Sequence, residues 1–304
     1  MGAIELACVA IVAVFLVVRA RMDARPGRLL RRLVLMGAAG WIGEESCIRL
    51  YGFYFYDRAW SAFIGHVPLM ILLIWPVVIQ SARDLAGAAL GPRSGSAAQV
   101  RGLWPRAGVT LLGAAIVLAD ASLIEPIAVQ ARLWSWTEPG LFAVPPIGIL
   151  GWAYFAAACL FLFDASDRRG GGLAFDALVL VVAPAATHVL LIATWWGALR
   201  WVSGPIAPWP AVALAWAIAL PLAARAWQAG TRRRIPRAVM LLRVPAAGFF
   251  FVLLAVRGSD VLPLVAYALA FAPPYLAVTS WTAPISEALA GRPSSAAEHR
   301  PSGR

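Results

Sequence analysis

The chain has 304 residues, 61% of them hydrophobic and 13% charged, and its mean hydropathy of +0.76 excludes a soluble globular domain of this length. All 26 basic residues are arginine and the formal net charge is +11. In a soluble protein that balance would suggest a nucleic-acid partner, but most arginines fall in short loops between apolar runs, where they act as topology signals.

Crossing a hydrocarbon core takes about 20 helical residues. Apolar runs of that order occupy 2–19, 33–54, 59–81, 107–126, 140–163, 174–197, 206–228, 238–256 and 261–281. The expectation is an all-α integral membrane protein of about nine transmembrane helices, with residues 1–286 as one polytopic domain. The first run contains Glu5 instead of a basic leader and precedes an arginine-rich loop, so it reads as a retained helix and not a cleaved signal. Arginines cluster after helices one (Arg21, Arg25, Arg28, Arg31, Arg32), three (Arg83, Arg93, Arg101, Arg106), five (Arg168, Arg169) and seven (Arg232, Arg233, Arg234, Arg237). The alternate loops hold one each, Arg58, Arg132, Arg200 and Arg257. That alternation puts the N-terminus outside and the C-terminus in the cytoplasm, in a multi-pass protein of the cell inner membrane. The polar, proline-containing stretch 287–304 reads as a disordered cytoplasmic tail. Cys8, Cys47 and Cys159 lie in apolar runs at unrelated spacings and read as packing residues.

Helix two carries two adjacent acids, Glu44 and Glu45. A charge at mid-membrane costs roughly 2.5 to 3.5 kcal/mol even on lenient scales, so each needs a partner or a purpose. Glu45 has Arg49 one turn later on its own face. Glu44 is followed at that spacing by Ile48, and by Tyr51 a turn further on. An unpartnered carboxyl in an apolar setting tends to keep its proton, which suits a general acid; the blander reading is a hydrogen bond to a neighbouring helix.

Helix three opens near His66, read as an interfacial hydrogen-bonder before a catalyst, and continues as VPLMILLIW to Trp75. Helix four holds Asp120 at similar depth to Glu44, with Glu125 closer to the outer interface and read as an interfacial residue before a group at the mouth of the site. Helix five repeats the earlier pattern in VPPIGILGW, giving V-P-x6-W twice, 77 residues apart. The same register carries Glu44 to Ala121, beside Asp120, and sets FYFYDRAW against LWSWTEPG. These matches suggest a parallel internal repeat of helices 2–3 and 4–5, with residues 33–163 as the catalytic helices. Asp164 and Asp167 mimic half of a diphosphate-magnesium motif, but without a second copy they read as a solvated turn.

Only three histidines occur, so multi-histidine di-iron boxes cannot be built, and no HExxH, Walker A or GxSxG stands in usable context. What remains is acid–base chemistry without metal or cofactor in a chamber lined by aromatic rings, whose faces can stabilise a carbocation.

The series E-(x5)-YGFYFYD, G-x-VP-x6-W, D-(x4)-EP-(x7)-W-x-W-(x3)-G and VP-(x5)-GW, spanning about residues 40 to 155, resembles the bacterial and archaeal carotenoid biosynthesis protein family. That family includes bisanhydrobacterioruberin hydratase and related acyclic carotenoid hydratases. Ile149-Leu150 and Ala143-Val144-Pro145 depart from its pattern, which has Asn-Phe and Gly-Val-Pro there. The resemblance implies addition of water to a terminal isoprenoid double bond of a lipophilic carotenoid, without a cofactor, in membrane lipid and alongside other carotenoid-pathway enzymes. On that reading Glu44 is the proton donor and Asp120 the base or water-orienting group, with an exchange of roles between the acids left open, and Glu45 with Arg49 sets the local field. Tyr51, Tyr54, Tyr56, His66, Trp75, Trp134, Trp136 and Trp152 then line the substrate with Arg49. A membrane carotenoid or terpene cyclase using the same protonation, and a non-enzymatic polyprenyl-lipid carrier, stay open as alternatives.

Overall fold

The computed structural model describes residues 1–90, 103–202, 204–229, 235–279 and 282–283. The expected tail 287–304, and Arg93, Arg101, Arg232, Arg233 and Arg234, lie outside the described residues.

Helices dominate. In chain order they are α1 (Gly2–Met22), α2 (Pro26–Tyr51), α3 (Leu69–Leu90), α4 (Leu103–Gln130), α5 (Pro146–Arg168), α6 (Leu173–Ala177), α7 (Val179–Gly197), α8 (Pro208–Ala229), α9 (Arg237–Arg257), α10 (Leu262–Leu269) and α11 (Ala272–Thr279). Among the described residues six segments are long and apolar enough to cross a membrane: Gly2–Met22, Leu69–Leu90, Ala107–Gln130, Pro146–Arg168, Leu173–Gly197 and Pro208–Gln228. The protein is therefore a mostly helical membrane protein. Helix α2 is long enough but carries too many charges to stand among those six. The run expected as one helix at 261–281 is broken into α10 and α11. Pro273 and Pro274 lack the N–H groups that would bond carbonyls a turn back, so they fit only at the start of a new helix.

Helix limits follow local chemistry. Pro26 opens α2, where a missing N–H costs nothing. Gly52 closes it in the left-handed region at φ 61°. The stretch 59–68, expected as the start of helix three, is instead a hairpin of β2 (Phe63–Ile64) and β3 (Val67–Pro68) turned through Gly65 at φ 66°. A Cβ on Gly65 would lie 2.6 Å from a Glu45 carboxylate oxygen, so glycine is required there on two counts.

Around the centre, α4 packs on α3 and α5, α7 on α2 and α5, and α1 on α3 and α9, while α8 pairs with α10 and α11. The core includes Met36, Ile79, Val117, Ile127, Leu160 and Phe163. Leu214, Ile218, Leu220 and Leu222 of α8 are exposed, as side chains facing lipid tails would be.

At the end of the bundle formed by the start of α2 and the close of α5, the arginines and aspartates interlock. Arg32 binds Asp176 at 2.9 Å and Asp167 at 3.0 Å, Arg31 binds Asp176 at 2.7 Å, and Arg83 binds Asp164 at 2.8 Å. Thr110 and Ser166 add hydroxyl donors to Asp164 and Asp176. Asp164 and Asp167 thus sit inside α5 in a partly buried ion network joining α2, α3, α5 and α6, which corrects their reading as a solvated turn.

Candidate functional site

Two segments expected at the end of helix two and in the connection between helices four and five supply the centrepiece. In Tyr54-Phe55-Tyr56 and Trp134-Ser135-Trp136 aromatics alternate with another residue, the period that puts both outer side chains of a strand on one face. They form β1 (Tyr54–Tyr56) and β4 (Trp134–Trp136), an antiparallel pair with Tyr54 opposite Trp136 and Tyr56 opposite Trp134. Cross-strand ring centroids lie 4.7 Å apart for Tyr54 and Trp136 and 5.9 Å for Tyr56 and Trp134. This ribbon adds a small β component to the expected all-α fold.

Each strand clamps one carboxyl. The hydroxyls of Tyr54 and Tyr56 both donate to Glu44 Oε2, the latter at 2.9 Å, and Trp75 Nε1 donates to Glu44 Oε1 at 2.9 Å. Trp134 and Trp136 both donate to Glu125 Oε2, at 2.8 and 3.0 Å, and Trp152 Nε1 donates to Glu125 Oε1 at 2.7 Å. The two sets match group for group: two aromatics from a strand on one oxygen, one tryptophan from the following V-P-x6-W helix on the other. The third partners also touch, with Trp75 and Trp152 centroids 4.5 Å apart.

Both carboxyls line one cavity of about 170 Å³. Its wall is otherwise mainly apolar, contributed by α1, α2, α3, α4, α5, α7 and α9. On α2 the lining residues are Gly40, Gly43, Glu44 and Cys47, one face of a helix. A Cβ at Gly43 would meet nothing within 4 Å, so the space beside Glu44 is cavity and not neighbouring protein.

Gly43→Leu should therefore leave the fold intact, and even favour α2, since glycine costs a helix interior roughly 0.5 to 1 kcal/mol. The same side chain should fill the room beside Glu44 and depress turnover at least about tenfold, by analogy with lost reactant positioning. Thermal unfolding in detergent and turnover measured on one preparation would separate the two effects. Equal activity in the variant would place the substrate elsewhere.

The clamp residues Tyr54, Tyr56, Trp75, Trp134, Trp136 and Trp152, expected from the sequence to line a substrate, all line this cavity with Glu44. Asp120 does not. It accepts both terminal nitrogens of Arg243 at 2.9 Å and the Tyr275 hydroxyl at 2.9 Å, a buried triad linking α4, α9 and α11. The expectation that Asp120 shares a chamber with Glu44 is corrected: Glu125, five residues on and 2% exposed, occupies that position. Glu125 is thus buried at the site.

Glu45 pairs with Arg49 at 2.6 Å as its spacing implies, but Arg49 is 64% exposed. The Glu45 carboxylate also accepts the His66 backbone N–H at 2.7 Å and contacts His66 Nδ1 at 3.0 Å. Glu45, Arg49 and His66 fasten the β2–β3 hairpin to α2 and do not line the cavity. Tyr51 also lies behind the wall, bonded to His188 Nδ1 at 2.9 Å. His188, which no local motif distinguishes, faces the cavity from α7 and contacts Ser46 Oγ through Nε2 at 2.7 Å.

Fold and site together define the class as a helical membrane protein that holds two aromatic-clamped carboxyls beside one apolar chamber. Residues 3–222 match the carotenoid biosynthesis protein family, and the chain belongs to it. No curated protein and no solved structure shows a significant match. The family's departure at Ala143 has a visible counterpart, since Phe142 and Ala143 turn at φ 51° and 63° between Leu141 and Val144. That is the left-handed geometry which a glycine would favour.

Proposed function

We propose that the protein adds water to a terminal isoprenoid double bond of an acyclic carotenoid, with Glu44 as acid and Glu125 as base. The observation that carries this is the difference between the two clamps. Indole N–H groups can only donate, so Trp134, Trp136 and Trp152 suit an ionised Glu125, which accepts all three. Phenol hydroxyls donate or accept, so Tyr54 and Tyr56 can rotate to receive a proton-bearing Glu44 as readily as they donate to its anion. Glu44 can hold the proton; Glu125 is arranged to lack one.

The chemistry then balances without cofactor. Glu44 transfers its proton to the less substituted alkene carbon, leaving a tertiary cation that the clamp rings and the Glu125 carboxylate stabilise. A water lone pair forms the C–O bond, and the oxonium gives its extra proton to Glu125. One proton has left the pair and one has joined it, so proton exchange between the two carboxyls restores the starting state. Asp120 has no part in this scheme, because its oxygens are taken up by Arg243 and Tyr275. Glu45 and Arg49 act on the hairpin.

The matched clamps and the doubled V-P-x6-W also support duplication of helices 2–3 into 4–5. The arginine clusters, the Arg31–Asp176 network at one end and the aromatic ribbon at the other support an N-out, C-in protein of the inner membrane, working beside enzymes that make and consume its carotenoid.

Expression in a host that makes lycopene and related acyclic carotenoids, with pigments weighed by mass spectrometry, tests the reading. Products heavier by one or two waters are expected. A product isomeric with its substrate would instead indicate a cyclase, and unchanged pigments a carrier.

A further inference from the structure

Water addition requires a water molecule whose oxygen is free to attack, and in an apolar chamber a water stays only where two or more polar partners hold it. The hydrogen bonding of the cavity wall shows where such a partner stands. The indole N–H groups of Trp75, Trp134, Trp136 and Trp152 and the hydroxyls of Tyr54 and Tyr56 are directed at the two carboxyls. Trp60 donates to the Leu133 carbonyl at 3.0 Å.

On α7, His188 is also committed. Ser46 Oγ donates its proton to the Ile42 carbonyl at 2.5 Å, so toward His188 it can only accept. With the Ser46 proton on the Ile42 carbonyl, the neutral ring that fits carries its hydrogen on Nε2 and accepts from Tyr51 at Nδ1, and both ring nitrogens are engaged by protein groups. One helical position earlier, Thr187 is 7% exposed, lines the same cavity and donates its hydroxyl to the Ala183 carbonyl at 2.8 Å. Its proton is spent inside the helix while its oxygen lone pairs remain.

We propose that Thr187 is a positioning residue that holds the reacting water, an inference that rests on the hydration reading above. The water donates one hydrogen to Thr187 Oγ1 and the other to Glu125. Because the strong donors around it are already committed, its oxygen lone pair is left to form the C–O bond with the tertiary cation. The proton released from the resulting oxonium follows the existing hydrogen bond to Glu125. If no water is held, the cation instead loses a proton from a neighbouring carbon to Glu125, giving a shifted alkene, or is captured by an internal double bond. Thr187 thus sets the choice between hydrated and unhydrated products and has no part in the first protonation.

Thr187→Val keeps the branched shape and removes the hydroxyl, and Thr187→Ser restores it. With membranes supplied with an acyclic carotenoid in D2O, the readouts are the ratio of hydrated to isomeric product and the deuterium entering carbon. The valine variant should lower that ratio at least about tenfold while deuterium still enters the isomeric product, and the serine variant should recover most of it. A uniform fall in all products, with the ratio unchanged, would assign Thr187 a merely structural role and overturn the proposal. A valine variant indistinguishable from the wild type would overturn it as well. Should the wild type itself give only isomeric products, both the water seat and the hydration reading fail together.

Discussion

Glu44→Gln and Glu125→Gln should each lower turnover by at least about 10²-fold, the smaller end of what a positioned acid or base contributes, yet they should differ in stability. The amide that replaces Glu44 can turn its NH2 toward the two phenols, whose oxygens accept it, and its carbonyl oxygen toward Trp75 Nε1, which donates. Glu44→Gln should therefore fold and accumulate as the wild type does. The amide that replaces Glu125 meets indole N–H groups on both of its atoms. Whichever way it turns, one NH2 faces a donor, and an unsatisfied buried polar group costs about 1 to 3 kcal/mol. Glu125→Gln should thus lose stability as well as turnover. Thermal unfolding in detergent, measured beside turnover in membranes, checks both halves. Two variants of equal stability would undermine the distinction between the clamps and with it the direction of proton transfer. If both stay active, the carboxyls are structural and the acid–base scheme falls.

Why Glu44 was legible in the sequence and Glu125 was not has a physical answer. Glu44 stood out because an apolar helix held it without a cation one turn away, and the chain-wide hydropathy made that costly. Glu125 stands at the end of an apolar run just before Pro126 and two tryptophans, a pattern shared by any residue at a membrane interface. The repeat pointed toward it but with a fixed offset of 77, which fell beside Asp120. The connection is not constant: 23 positions separate Glu44 from Val67, whereas 19 separate Glu125 from Val144. The longer first connection accommodates the β2–β3 hairpin, while the second makes do with the tight turn at Phe142 and Ala143. Alternation in Tyr54-Phe55-Tyr56 and Trp134-Ser135-Trp136 is itself a strand signal, but three residues carry little weight beside a 20-residue apolar helix.

Most long helices could be read from hydropathy because lipid solvent imposes length and apolarity on every span. Partners at long range could not. Arg243 lies 123 residues beyond Asp120, and Ser46 and His188 are 142 apart, so no spacing rule within one helix connects them. The Asp164 and Asp167 pair shows the same limit in reverse: a local motif suggested a solvated turn, and arginines from two other helices decided otherwise.

Asp120 supplies the sharpest contrast with the chamber acids. Asp120→Asn should destabilise the protein by about 3 to 5 kcal/mol, because removing one member of a buried ion pair strands the other charge. The stranded group is Arg243, only 4% exposed and held at both terminal nitrogens by Asp120. Tyr275 cannot compensate, since its hydroxyl is neutral and lies 3.4 Å from Arg243 Nη1. Removing both charges should cost far less: Asp120→Leu combined with Arg243→Met replaces the pair with apolar groups of similar bulk, a change that is often neutral or stabilising. The double variant should recover most of the lost stability and keep its turnover, because neither residue lines the chamber. Unfolding midpoints and product yield from the single and double variants give the answer. An Asp120→Asn protein that is stable but inactive, or a double variant that is stable but inactive, would return Asp120 to the catalytic role that its depth in helix four first suggested.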